Sequence, residues 1–143
     1  MTRDEVEKTA FDHFDSGFHC AEAIAKTIIE LYAENPNAAT TKVASGFSGG
    51  IGGTHAEDCG ALTGGIIAIG YLYGRTEPGQ DIQYAGELAA EFSTRFVEEF
   101  GSANCGVLLE KLGKQHNSFK CKKLTAAAAG LLSELLGDRR EYE

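Results

Sequence analysis

The stretch "CGALTGGIIAIGYLY", residues 59–73, constrains this chain more than any other. Ala61, Gly64, Gly65 and Ala68 place small side chains at i, i+3, i+4 and i+7, which is one face of a helix. Each interior glycine costs a helix about 1 kcal/mol relative to alanine. A face of this kind lets a neighbouring backbone, or a cofactor, come unusually close, and a tight helix–helix crossing needs the same pattern. Gly60 and Gly64 are accordingly candidate cofactor-binding positions. Thr54 and Glu57 have capping-box spacing, which predicts that this central helix starts there and ends near Tyr73, closed by Gly74 and Pro78.

The other elements follow from the same periodicity. Thr2 and Glu5 form a second capping-box pair, and Val6, Ala10 and Phe14 recur every fourth residue, giving a helix to about Phe14. Ala21, Ile24, Ile28 and Leu31 predict a helix over about 18–34, ended by "NPN". The glycine-rich "TTKVASGFSGGIGG" predicts a short helical turn and then a tight loop. It has neither G-x-G-x-x-G after a strand nor G-K-[ST], so it makes a poor phosphate site. Tyr84, Leu88, Phe92, Phe96 and Phe100 mark the cleanest amphipathic helix, ending at Gly101. A shorter helix is expected over about 104–112, and a last one carries Leu124 to Leu135 and stops at Gly137. No alternating run of β-branched residues marks a strand. The expected fold is all-α, one compact domain over residues 1–143 with five to six helices.

Thirteen Lys and Arg against 21 Asp and Glu give a net charge of −8, which disfavours nucleic acid and anionic membrane as partners. The N-terminus "MTRDEVEKTAFDHF" has no apolar core or twin-arginine pair, and no apolar run reaches membrane-spanning length. A cytoplasmic location and no membrane insertion are the expectations. Thiols stay reduced in that compartment, so four cysteines there suggest metal ligands or working thiols rather than structural disulfides.

Cys20, Cys59, Cys105 and Cys121 show no C-x-x-C spacing. What they share is position, within the first turn or two of a predicted helix. Unpaired N–H groups and a partial positive charge there favour thiolate, the form that attacks and ligates. Lys120, Lys122 and Lys123 beside Cys121 push the same way. At Cys59 the negative charges of Glu57 and Asp58 oppose the effect, so a moderate pKa depression is expected. His19, His55 and His116 stand one, four and five residues ahead of cysteines and are candidate thiolate tuners or substitute ligands, with His13 more remote. Glu22 and Glu57 read as helix caps rather than general acids. No Ser-His-Asp order, H-E-x-x-H or carboxylate pair is present.

"CGALTG", residues 59–64, resembles the central motif of the C_GCAxxG_C_C family of small redox-active proteins with four scattered cysteines. The resemblance extends from "HCAEAI" through "VASGFSGGIGG" and "CGALTGGIIAIGYLYG" to "FGSANCGVLL" and "CKKL", nearly the whole chain. It implies a redox role beside a redox partner protein, an oxidoreductase or a transporter component. Some members carry a twin-arginine export signal, which this sequence does not show.

The expectation is that Cys20, Cys59, Cys105 and Cys121 converge on one site, with their sulfurs a few ångströms apart or in two bridgeable pairs, and that Cys59 is the most sensitive. Four thiolates suit an iron–sulfur cluster acting in electron transfer. Two suit reversible dithiol/disulfide chemistry. Four also suit structural zinc in a non-enzymatic accessory module serving a transporter or oxidoreductase. The cluster accounts for all four cysteines, which favours it over a dithiol pair.

Overall fold

A computed structural model describes the backbone of residues 1–140 and the side chains to residue 137. The small face of the central helix decides the arrangement. This helix, α4 (Gly60–Tyr73), lies against α2 (Cys20–Tyr32) in the most extensive helix pairing of the molecule. A Cβ on Gly64 would stand 2.7 Å from the Ala21 Cα and would also strike the Ala21 carbonyl oxygen. One on Gly60 would strike the Cys20 sulfur and stand 3.0 Å from the Ala21 nitrogen. Gly65 faces the other way, where a Cβ would meet Phe92. The small residues therefore admit protein on both sides. Gly60 and Gly64, expected as cofactor-binding positions, are filled by the α2 backbone and the Cys20 side chain instead.

The remaining helices wrap this pair. Helix α1 (Arg3–Asp15) begins at the expected Thr2–Glu5 capping box, with the Thr2 hydroxyl accepting the Glu5 N–H at 3.2 Å and the Glu5 carboxylate accepting the Thr2 N–H at 3.2 Å. It packs along α7 (Phe119–Arg140). Helix α5 (Gln83–Phe100) buries Leu88, Phe92 and Phe96 and ends at Gly101, whose φ of 91° is left-handed. Between α2 and α4 come the five-residue α3 (Ala39–Val43) and a single 3-10 turn (Ser45–Phe47). Helix α6 (Cys105–Leu112) starts at Asn104, whose side chain accepts the Val107 N–H at 3.0 Å. One apolar core joins α1, α2, α4, α5, α6 and α7, with Val6, Ile24, Ile28, Ile69, Phe92 and Leu132 fully enclosed.

Among the described residues there are seven α-helices and no named strand, so the all-α class stands and the helix count rises above five to six. The additional helix is the short α3, which lies where the sequence predicts only a helical turn. The last helix continues through Gly137 to Arg140, because one exposed glycine weakens a helix without ending it. Among the described residues no helix is long and apolar enough to cross a membrane.

The start of α4 is the larger correction. It begins at Gly60, six residues after Thr54, with Cys59 as its N-cap. Thr54 sits in a loop in which Gly49, Gly50, Ile51, Gly52, Gly53 and His55 all have positive φ. Its hydroxyl accepts the Ala56 N–H and approaches the Gly50 and Ile51 carbonyls, closing that loop rather than capping a helix. Residues 57–59 are then held extended against 103–105. Cys59 N–H donates to the Ala103 carbonyl at 2.7 Å and Cys105 N–H to the Glu57 carbonyl at 2.8 Å.

Gly64→Ala should lower stability by about 1–3 kcal/mol, because its Cβ meets backbone that cannot turn aside. Gly70→Ala, on the same helix with nothing within 4 Å, should raise stability by up to about 1 kcal/mol. Thermal unfolding of the two variants checks both signs.

Candidate functional site

All four cysteines stand at helix starts. Cys20 and Cys105 are the first residues of α2 and α6, Cys59 caps α4, and Cys121 is the third residue of α7. The four helix starts surround a single cavity of about 630 Å³, and every one of the cysteines lines it. Phe14, Leu108, Leu109, Leu112 and Leu124 supply its apolar wall, while His19, His55, Ser48, Gly49 and Gln115 supply polar edges. Cys105 is buried and the other three are half-buried.

Two local devices bring the helix starts together. The extended pairing of residues 57–59 with 103–105 ties the head of α4 to that of α6, and so Cys59 to Cys105. The left-handed glycine loop then folds back over the head of α2. Its Ser48 hydroxyl accepts the Ala21 N–H at 3.2 Å, and its Gly49 N–H points at the Cys20 sulfur at 3.5 Å. Gly50 lies so near Cys105 that a Cβ there would meet the Cys105 Cβ at 2.6 Å. Ile51 at φ 71° is unusual for a β-branched residue, and the six surrounding loop hydrogen bonds hold it there.

Two of the sulfurs receive hydrogen bonds. Gly49 N–H serves Cys20. At Cys59 it is the carbonyl that caps α4, accepting the Leu62 and Thr63 N–H groups at 3.0 and 3.1 Å, while the sulfur makes no capping bond. Gln115 serves Cys121 twice over, with Nε2 donating to the sulfur at 3.2 Å and Oε1 accepting the Cys121 N–H at 3.0 Å. Gln115, Ser48 and Gly49 have no mark in the sequence that would single them out. Gln115 precedes its cysteine by six residues in a loop, where no periodicity applies.

The electrostatics correct the expected thiol acidity. The Cys59 thiol is pushed up from 9.0 to about 12, chiefly by burial, with nearby Cys20 and Cys105 adding to the rise and the Ala61 and Leu62 backbone amides offsetting only part. Burial likewise raises Cys105, with Cys20 and Cys121 adding to it. Burial raises Cys121 against the opposing Gln115 hydrogen bond. Desolvation of the anion outweighs the helix N-terminus at all three. The lysines beside Cys121 are engaged elsewhere. Lys120 donates to the Leu112 carbonyl, Lys122 pairs with Asp15 at 3.0 Å, and Lys123 lies over the Phe119 ring.

The cysteines share a cavity without being drawn to a point. All four are free thiols, and among the described residues no three His, Cys, Asp or Glu side chains form a group able to hold a metal ion. The expectation of one tight sulfur cluster is corrected to four sulfurs spread around the walls of one chamber. Cys20 acts electrostatically on each of the other three, so it is the common neighbour. His19 and His55 border the chamber, whereas His13 faces Glu30 at 3.1 Å and His116 opens onto a separate outer depression. Glu22 caps α2 by accepting the His19 N–H at 3.0 Å, as expected, and Glu57 contributes its carbonyl to Cys105 rather than capping α4.

Residues 18–135 match the family model described as "Putative redox-active protein (C_GCAxxG_C_C)". The chain belongs to this family. No curated protein and no solved structure matches it.

A thiol with a raised pKa keeps its proton in the folded chain after the unfolded chain has lost it, so alkali favours unfolding. The stability of the metal-free reduced protein should therefore be flat below about pH 9 and fall as the pH rises toward 12. Cys59→Ala should flatten that fall. Denaturant titrations at a series of pH values measure both.

Proposed function

We propose that the four cysteines hold an iron–sulfur cluster in the shared cavity and that the protein carries single electrons. The observation behind this reading is the chamber itself, with four cysteines from four helix starts on its wall and N–H donors aimed at the Cys20 and Cys121 sulfurs. Hydrogen bonds to ligating sulfurs are among the main means by which a protein tunes such a centre.

The donor set fits the group. Four soft thiolates are the usual complement for a two-iron or four-iron cluster. A single zinc ion asks for sulfurs gathered at about 2.3 Å around one point. Sulfurs spread around a chamber suit a larger group. The raised thiol pKa values also favour ligation over attack. An uncompensated Cys59 is protonated at neutral pH and a poor nucleophile. Thiol protons leave when the cysteines bind a cation, whose charge inverts the local acidity.

When bound, the cluster supplies reversible one-electron exchange. The chain's own groups do the rest. The Gly49 N–H and the Gln115 amide meet negative charge on the Cys20 and Cys121 sulfurs, and the Phe14–Leu108–Leu112–Leu124 wall limits water.

Anaerobic reconstitution with iron and sulfide should give a brown protein absorbing in the visible. Each of Cys20→Ser, Cys59→Ser, Cys105→Ser and Cys121→Ser should lose most of that absorbance with helical circular dichroism unchanged. A colourless product binding one zinc per chain would support the accessory-module reading instead. Loss confined to two cysteines, with reversible disulfide formation, would point to the dithiol chemistry.

Gln115→Leu, which removes both hydrogen bonds to Cys121, should leave the cluster in place and lower its reduction potential, since a donor that stabilises the more negative state is gone. Potentiometric titration measures the shift.

A further inference from the structure

We infer that the outer depression beside Cys121 is the docking surface for an acidic one-electron carrier protein, an inference that rests on the electron-carrying reading above. Five of the chain's eight lysines fall within residues 111–123, and no Asp or Glu occurs from 111 to 133. On a chain of net charge −8, this is a local reversal of sign. The lysines are presented together. Lys114, Lys120 and Lys122 line a depression of about 400 Å³ with His116 and Phe119. One acidic side chain, Asp15, also borders it and is paired with Lys122.

The depression and the cysteine chamber share a wall. Gln115 lines both, and its amide holds the Cys121 sulfur and backbone. A partner seated on the outside is one side chain away from Cys121. Phe119, 51% exposed beneath Lys123 and edge-on to Phe11, offers a rigid aromatic anchor inside the basic rim. An aromatic centre ringed by charge is how protein interfaces combine affinity with steering. The chain's overall negative charge repels a long polyanion such as nucleic acid, and an acidic patch on a compact protein matches this surface in extent. With the proposed cluster bound, the exchange would be one electron: the reduced carrier would be oxidised by one electron and the cluster held by the cysteines reduced by one, with no bond made or broken.

The test is calorimetric titration of the full chain with an acidic [2Fe–2S] ferredoxin, and separately with a basic c-type cytochrome, at low and high ionic strength. Lys114→Glu/Lys123→Glu alters two exposed lysines outside the cysteine chamber. It should weaken ferredoxin binding about tenfold at low ionic strength and flatten its salt dependence, without weakening cytochrome binding. Absence of ferredoxin binding to the parent protein, a change below about twofold, or equal loss with both probes would overturn the docking surface. Binding by calorimetry requires no cluster. A protein that binds ferredoxin through these lysines yet never acquires a visible spectrum would sink the cluster reading alone. One that is reduced by dithionite yet ignores ferredoxin would sink the docking surface alone.

Discussion

The backbones of α2 and α4 touch because Gly64 presents no side chain to Ala21, and the rest of the site is arranged around that contact. Ala21 is the residue after Cys20, so fixing it on α4 fixes Cys20 beside Gly60 and next to Cys59. Its N–H, one of the unpaired donors at the head of α2, is taken by the Ser48 hydroxyl, which draws the left-handed loop over the same spot. The loop in turn brings Gly50 against Cys105 and Gly49 against the Cys20 sulfur. Close packing, helix capping and sulfur placement are one interaction seen from three sides.

Much of this was legible in the chain. Four-residue spacing from Tyr84 to Phe100 and the Thr2–Glu5 pair place α5 and α1 correctly, since both signals are local. The small face of α4 announces a close neighbour, and four cysteines near helix starts announce a common place. The occupant of the small face was not legible. Backbone and cofactor ask the same thing of a glycine, and only the fold shows that α2 takes the room. Thr54–Glu57 misleads for a related reason. The spacing is right, but six residues of positive φ and the pairing with residues 103–105 carry the chain past it, and the cap passes to Cys59.

The thiol acidities show which physical effect dominates. A helix start favours thiolate by a modest amount near the surface, whereas withdrawal from water penalises it heavily. At Cys59, Cys105 and Cys121, on the wall of one largely apolar chamber, the second effect prevails, and each added thiolate would repel the others. Under the cluster reading proposed above, thiols that are neutral in the metal-free chain would lose their protons to a bound cation. Free nucleophiles would need the opposite arrangement. Gln115, absent from any sequence pattern, links this interior to the basic exterior.

X-ray absorption at the iron edge of anaerobically purified protein tests the central claim most directly. The account predicts iron in an all-sulfur first shell with a short iron–iron distance, lost when Cys59 is replaced by serine. A zinc edge with four sulfurs and no iron, or no metal at all, would contradict it.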